Sequence, residues 1–144
     1  MTIDAFEIEY HAEFDKEMNR FIVKKKFKKL PGQIRELVSE FETGNFSGTL
    51  IMRKDSPIEC EIYKVRLPNE DTNVGKSNGY RVIYFAASKE KLVVLLAIYY
   101  KKEKPSISES YITALIDGYF LNSLPEEDWG SILVPSTVLF LFVS

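Results

Sequence analysis

The chain has 144 residues, 45% of them hydrophobic and 28% charged, with a net charge of −2. That is the size of about one domain and an ordinary globular composition, which excludes wholesale disorder. One cysteine, Cys60, and one histidine, His11, exclude an internal disulfide, a cysteine-based metal framework and any histidine pair or histidine-rich zinc site. A lone cysteine also fits a reducing cytosol.

In chain order, "FEIEYHAEF" alternates Phe6, Ile8 and Tyr10 with Glu7, Glu9 and His11, and period-two alternation predicts a first strand. The opening "MTIDAFEIEYHAEF" has no apolar core behind a positive flank and is not read as a secretory signal. From Asp15, a suitable N-cap, the residues Met18, Phe21, Ile22, Lys25 and Lys29 fall at helical spacing, and Pro31-Gly32 is expected to break that helix. A second helix follows over "QIRELVSEFETG", with Ile34, Leu37, Val38 and Phe41 on one face and Gly44 as its C-cap. "GNFSGTLIMRKDSP" reads as a loop with at most a short extended piece.

"IECEIYKVRLP" is a strand ended by Pro68, and a polar loop leads through "GKSNG" to a second strand, "YRVIYFAAS". Lys89-Glu90 is expected to turn the chain into "KLVVLLAIYYKK", apolar on both faces and therefore central in its sheet. "SISESYITALIDGYFLNSL" closes as a helix capped by Ser106 or Ser108. The fold class expected is α+β. A small, antiparallel-dominated sheet carries an N-terminal helical hairpin and a C-terminal helix, in the order β-α-α-β-β-β-α. The terminal "SILVPSTVLFLFVS" is apolar but interrupted by Pro135, and it is shorter than the roughly 20 residues a bilayer span needs.

Charge is unevenly spread. Residues 61–104 carry nine Lys/Arg against five acids, a balance of +4, while the remainder stands at −6. Alternation puts Lys64 and Arg66 on one strand face, Arg81 beside them on the next strand, and Tyr100 with Lys102 at the end of the third. Such a face is a solvated sheet surface or a site for a phosphate backbone, and physics alone leaves both open. "GKSNG" has part of a phosphate loop but lacks its glycine spacing and precedes a strand, so nucleoside triphosphate binding is rejected. "KKKFKK" (24–29) reads as the wet face of the first helix.

"IYKVRLP", "GKSNGYRVIYF" and "KLVVLLAIYYKKEK", followed by "SISESYITALI", together resemble the RelE/ParE superfamily of type II toxin–antitoxin toxins, nearer its RelE/HigB side. The resemblance spans about residues 5–122. It divides the chain into a toxin domain, 1–122, and a tail of unassigned role, 123–144. It implies a cytoplasmic, metal-independent mRNA endoribonuclease without cofactor, which enters the ribosomal A site, is neutralised by a cognate antitoxin and does not associate with a membrane. Position by position, it implies catalytic roles for Lys64, Arg66 and Arg81, with Lys102 where related toxins place an arginine. It implies RNA contacts from Lys76, Lys101 and Lys104. The tyrosine that these toxins place further on is here Ser108, so Tyr99, Tyr100 or Tyr111 must substitute, with Tyr100 preferred for sharing a face with Lys102. Two alternatives keep the same fold: a ParE-like inhibitor of DNA gyrase, and a catalytically silent member that binds its antitoxin.

Overall fold

The structure is a computed structural model and describes residues 5–122; the predicted apolar tail lies outside the described residues. Strand β1 (Glu7–Tyr10) leads into helix α1 (Ala12–Asn19), which widens into a π-helical turn over Arg20–Lys24. Helix α2 (Leu30–Glu42) follows, then β2 (Thr49–Lys54), β3 (Cys60–Leu67), β4 (Tyr80–Ala87), β5 (Leu92–Tyr100) and α3 (Glu109–Asn122). The five strands form one sheet in the order β1-β5-β4-β3-β2. All neighbours are antiparallel except β1 and β5, which run parallel.

The α+β class and antiparallel dominance match the sequence expectation, but the element order does not. A strand, β2, stands where a loop was expected. Its run Leu50-Ile51-Met52 does not alternate because a bulge shifts the register between Leu50 and Met52. It is also an edge strand and largely exposed, so it lacks the burial signature that identifies inner strands.

The helical hairpin is also cut differently. His11, not Asp15, caps α1: its extended backbone (φ −67°, ψ 147°) leaves Nδ1 accepting from the Glu13 N–H at 2.9 Å. Pro31 does not end the first helix but opens α2, where its missing N–H costs nothing. The break lies upstream, between Lys25 and Lys29, where Lys26 takes a left-handed φ of 61°. Gly44 follows α2 at φ +84° and donates its N–H to Phe41 O, as a left-handed C-cap does.

α1 and α2 carry the chain from the β1 edge to the β2 edge across one sheet face. There Phe14, Phe21, Leu30, Leu37 and Phe41 pack on Val65, Tyr80, Val82, Tyr84, Leu95, Ile98 and Tyr100. α3 covers the other face, where Ile112, Leu115 and Ile116 meet Ile62, Ile83, Phe85, Val94 and Leu96. β4 is consequently buried along its whole length. Tyr119 ties α3 to β1 by donating to Glu9, and Lys54 pairs with Asp117 at 3.7 Å. No helix among the described residues is long and apolar enough to cross a membrane.

Candidate functional site

The cations sort by strand register. In β3, Val65 points into the α1/α2 core while Cys60 and Ile62 point to the α3 side, so Lys64 and Arg66 take the α3 side too. They stand roughly 7 Å apart along the strand. Arg66 lies directly opposite Arg81 on β4, and Lys64 opposite Ile83. Like charges directly opposed destabilise a sheet. Here the opposition is relieved by turning one arginine away. Arg81 is only 6% exposed, and its guanidinium donates to Lys76 O at 2.9 Å and Ser77 O at 3.0 Å.

Those two bonds explain the local sequence. Lys76–Asn78 is a single 3₁₀ turn ahead of β4, and its carbonyls would otherwise need water. Gly79, buried beside it, lies so close to β3 that a Cβ there would collide with Leu67 O. Lys101 N–H donates to Gly79 O at 2.8 Å, fastening the start of the 101–104 turn to the same place. The "GKSNGYR" motif is thus a turn with its own cationic clamp, and Lys76 is its exposed basic side chain. Arg81 was expected to hold a phosphate; in the structure its Nη1 and Nη2 donate to backbone carbonyls of the preceding turn.

The face expected for Tyr100 is corrected. It pairs with Tyr80 and sits 7% exposed among the aromatic rings of the helix side, edge-on to Phe27. Its hydroxyl reaches Thr72 Oγ1 at 3.3 Å. The residue opposite Arg81 is Tyr99. The cause is a bulge: β4 and β5 pair Tyr84 with Leu95 but Ile83 with Ala97, so Leu96 is extra. Leu96 and Ala97 both face α3, and every residue beyond them swaps sides relative to a regular strand. Without that extra residue Tyr100 would share the face of Arg81, as the alternation expected.

Burial raises the pKa of Tyr99, and the Arg81 charge offsets part of that shift. Tyr99 therefore holds its proton at neutral pH. It lines a 210 Å³ pocket with Lys104, Tyr111 and the α1 residues Glu13, Lys16 and Glu17. Tyr111 is exposed, and its N–H donates to Ser108 Oγ at 3.1 Å. Ser108, standing where a tyrosine was expected, thus caps α3 as one of the two serines anticipated for that role.

Lys102 is exposed but not on the strand, because β5 ends at Tyr100 and 101–103 turn away. That turn meets "KKKFKK", of which Lys24 ends the π-helical turn and residues 25–29 form the connector after it. Glu103 joins the two, with Arg20 Nη2 at 2.6 Å and Lys25 Nζ at 3.3 Å. Hydrogen bonds from Arg20 and Lys25 hold the Glu103 carboxyl below its ordinary range, and those to Glu103 and Glu17 push the Arg20 pKa up. Two basic runs far apart in sequence are thereby fastened together through one carboxylate, and their Lys24, Lys26, Lys102 and Lys104 are exposed. Sequence reading took these runs separately, and the single acid inside "KKEK" was the signal that one could anchor the other.

No family model and no curated protein matches the chain. Among solved structures it is similar to the isolated RelE toxin of E. coli, at 17% identity and a TM-score of 0.45, over 78% of this chain and 98% of that one.

Proposed function

We propose that the chain is the toxin of a type II toxin–antitoxin system, a cytoplasmic, ribosome-dependent mRNA endoribonuclease that a cognate antitoxin neutralises. The observation that carries this reading is the register of Arg66, Arg81 and Tyr99: two cations and a proton-bearing hydroxyl on one face of three adjacent strands. The motif resemblance points to the same chemistry.

In this reading the RNA's 2′-hydroxyl attacks the adjacent phosphate, and its proton passes to solvent water as the new P–O bond forms. The P–O bond to the 5′ oxygen breaks, and that oxygen takes up a proton. Lys64 lies beside the attacking hydroxyl, and Arg66 neutralises the charge gathering on the phosphorane. Tyr99, protonated at neutral pH, gives its proton to the leaving 5′ oxygen and regains one from solvent. Arg81 is a positioning residue: it fixes the turn that presents Lys76. Lys76, Lys101, Lys102 and Lys104 hold the RNA backbone electrostatically.

The test is induced expression of the chain alone, following growth and the 5′ ends of ribosome-associated mRNA. The wild type is expected to arrest growth and create new 5′ ends, and Arg66→Met to do neither while remaining folded. Full toxicity of Arg66→Met would overturn the assignment. The engaged guanidinium of Arg81 and the capping use of Ser108 favour one second reading, a catalytically silent member that binds its antitoxin. That reading expects the wild type to leave growth and mRNA ends unchanged.

A further inference from the structure

The pocket beside Tyr99 exists because β1 is short. β1 pairs with β5 only as far as Leu95, where the chain turns off into α1. Ala97, Ile98 and Tyr99 therefore form a strand edge with no strand beside it, and they line the 210 Å³ pocket. Such an edge presents main-chain N–H and C=O groups. α1 contributes Glu13 and Glu17 to the lining, and the approach to α3 contributes Ile107 and Tyr111. The volume is below the roughly 300–1,000 Å³ of pockets for drug-sized ligands and suits a single ring system.

The pocket continues the row of site residues. Arg66, Arg81 and Tyr99 lie on successive strands, about 5 Å apart from one strand to the next. The pocket lies at the far side of β5 from the arginines, since α1 and not β4 completes it. Two side chains there are open to a ligand. Tyr99 is 5% exposed, yet among the described residues no hydrogen bond engages its hydroxyl. Tyr111 is 40% exposed and presents an aromatic ring. The two carboxylates differ. Glu17 is held by Arg20, with both bonds on Oε1. Glu13 has only Lys16, at 4.0 Å, as an ion-pair partner, and its side chain is 30% exposed. A carboxylate partly withdrawn from water binds a donor more strongly than one in bulk solvent.

We propose that this pocket reads a guanine base of the RNA, next to the phosphate at Arg66, with Glu13 accepting from its Watson–Crick edge. The inference rests on the RNA reading above. An ionised carboxylate only accepts hydrogen bonds. Guanine is the RNA base that turns two adjacent donors, N1–H and the 2-amino group, toward such a group. Adenine and cytosine place a ring-nitrogen acceptor beside their amino group, and uracil sets its one N–H between two carbonyls. Each of those three turns a lone pair toward Glu13. Tyr111 supplies a stacking surface, as aromatic side chains do for unpaired bases. Lys16, in the same lining, carries donors for the guanine O6.

The test is an NMR titration of the isotope-labelled full chain with the 5′-monophosphates of guanosine, inosine, adenosine, cytidine and uridine. The phosphate is common to all of them, so a difference in affinity reads the base. Guanosine monophosphate is expected to give saturable shifts at residues 13–17, 97–99 and 107–111. Inosine monophosphate lacks only the 2-amino group and is expected to bind at least about tenfold more weakly, as loss of a hydrogen bond to a charged group does. Glu13→Gln is expected to weaken guanosine monophosphate by a similar factor. If that variant loses its fold, the inosine comparison on the wild type decides. Equal affinity for guanosine and inosine monophosphates, equal or tighter binding of another base, no saturable shifts at the pocket, or unchanged guanosine affinity in folded Glu13→Gln would overturn the proposal. None of these outcomes depends on cleavage. Selective binding by a chain that leaves mRNA ends unchanged would keep the pocket and remove the nuclease reading, and new mRNA ends without base selectivity would do the reverse.

Discussion

The two faces of the sheet at one end of β3, β4 and β5 carry opposite chemistry over the same few residues. On the α1/α2 side, Leu67, Tyr80 and Tyr100 close into an aromatic core with Phe21 and Phe27. On the α3 side, Arg66, Arg81 and Tyr99 occupy the matching register positions. Both sequence neighbours of Arg81, Tyr80 and Val82, belong to the hydrophobic layer below it. Cationic side chains are thus set on a fully packed, buried floor, which favours a preorganised electrostatic site. The difference also shows that a single bulge residue, Leu96, decides which of two adjacent tyrosines belongs to which face.

Breaking the cationic side at its buried member has the largest expected effect. Arg81→Met keeps much of the side-chain volume but leaves Lys76 O and Ser77 O without their donor. A stability loss of about 1–3 kcal/mol is expected, read from chemical denaturation. If Arg81 were instead a free ligand, stability would hardly change. The exposed member separates the other way. Arg66→Met should alter stability by less than about 0.5 kcal/mol. It should lower the slope of log affinity against log salt for single-stranded RNA by about 0.7, as loss of one phosphate contact does.

A smaller effect sharpens the link between the two basic runs. The Glu103 carboxyl is held below its ordinary value by Arg20 and Lys25. A depressed carboxylate adds stability that is fully present above the ordinary glutamate range and is lost as pH falls through its folded pKa. Glu103→Gln should therefore be less stable than wild type at neutral pH, by about 1 kcal/mol or less because the pair is partly exposed. The two proteins should converge in acid. A difference that persists at low pH would place the contribution elsewhere. The smallest effect concerns Cys60, buried 2% exposed under the α3 side, where burial pushes the thiol up to about 11. It should react with iodoacetamide at neutral pH far more slowly than in the unfolded chain, and fast labelling would mean that this edge opens.

The inner strands were legible in the sequence because β3, β4 and β5 are long and their apolar content is high. The edge strand β2 was not, since a bulge and exposure erase its pattern. Lys64, Arg66 and Arg81 were placed correctly on one face, because alternation holds from strand to strand where pairing is regular. Tyr100 was misplaced because a bulge in an all-apolar run leaves no trace in the pattern: Leu96 and Ala97 read alike whichever face they take. The clamp role of Arg81 was hidden for a different reason. A basic residue next to a turn signals nothing about whether its donors face a ligand or the turn's own carbonyls.

The most direct test of the account compares Tyr99→Phe with Tyr100→Phe in mapping mRNA 5′ ends on ribosomes after induction. Tyr99→Phe is predicted to cut the yield of new ends by at least about a hundredfold, the scale of a lost general acid. Tyr100→Phe, which loses only the contact to Thr72, should cleave as the wild type does. Full cleavage by Tyr99→Phe, or loss of cleavage in a folded Tyr100→Phe, would contradict the assignment of the site to the α3 face.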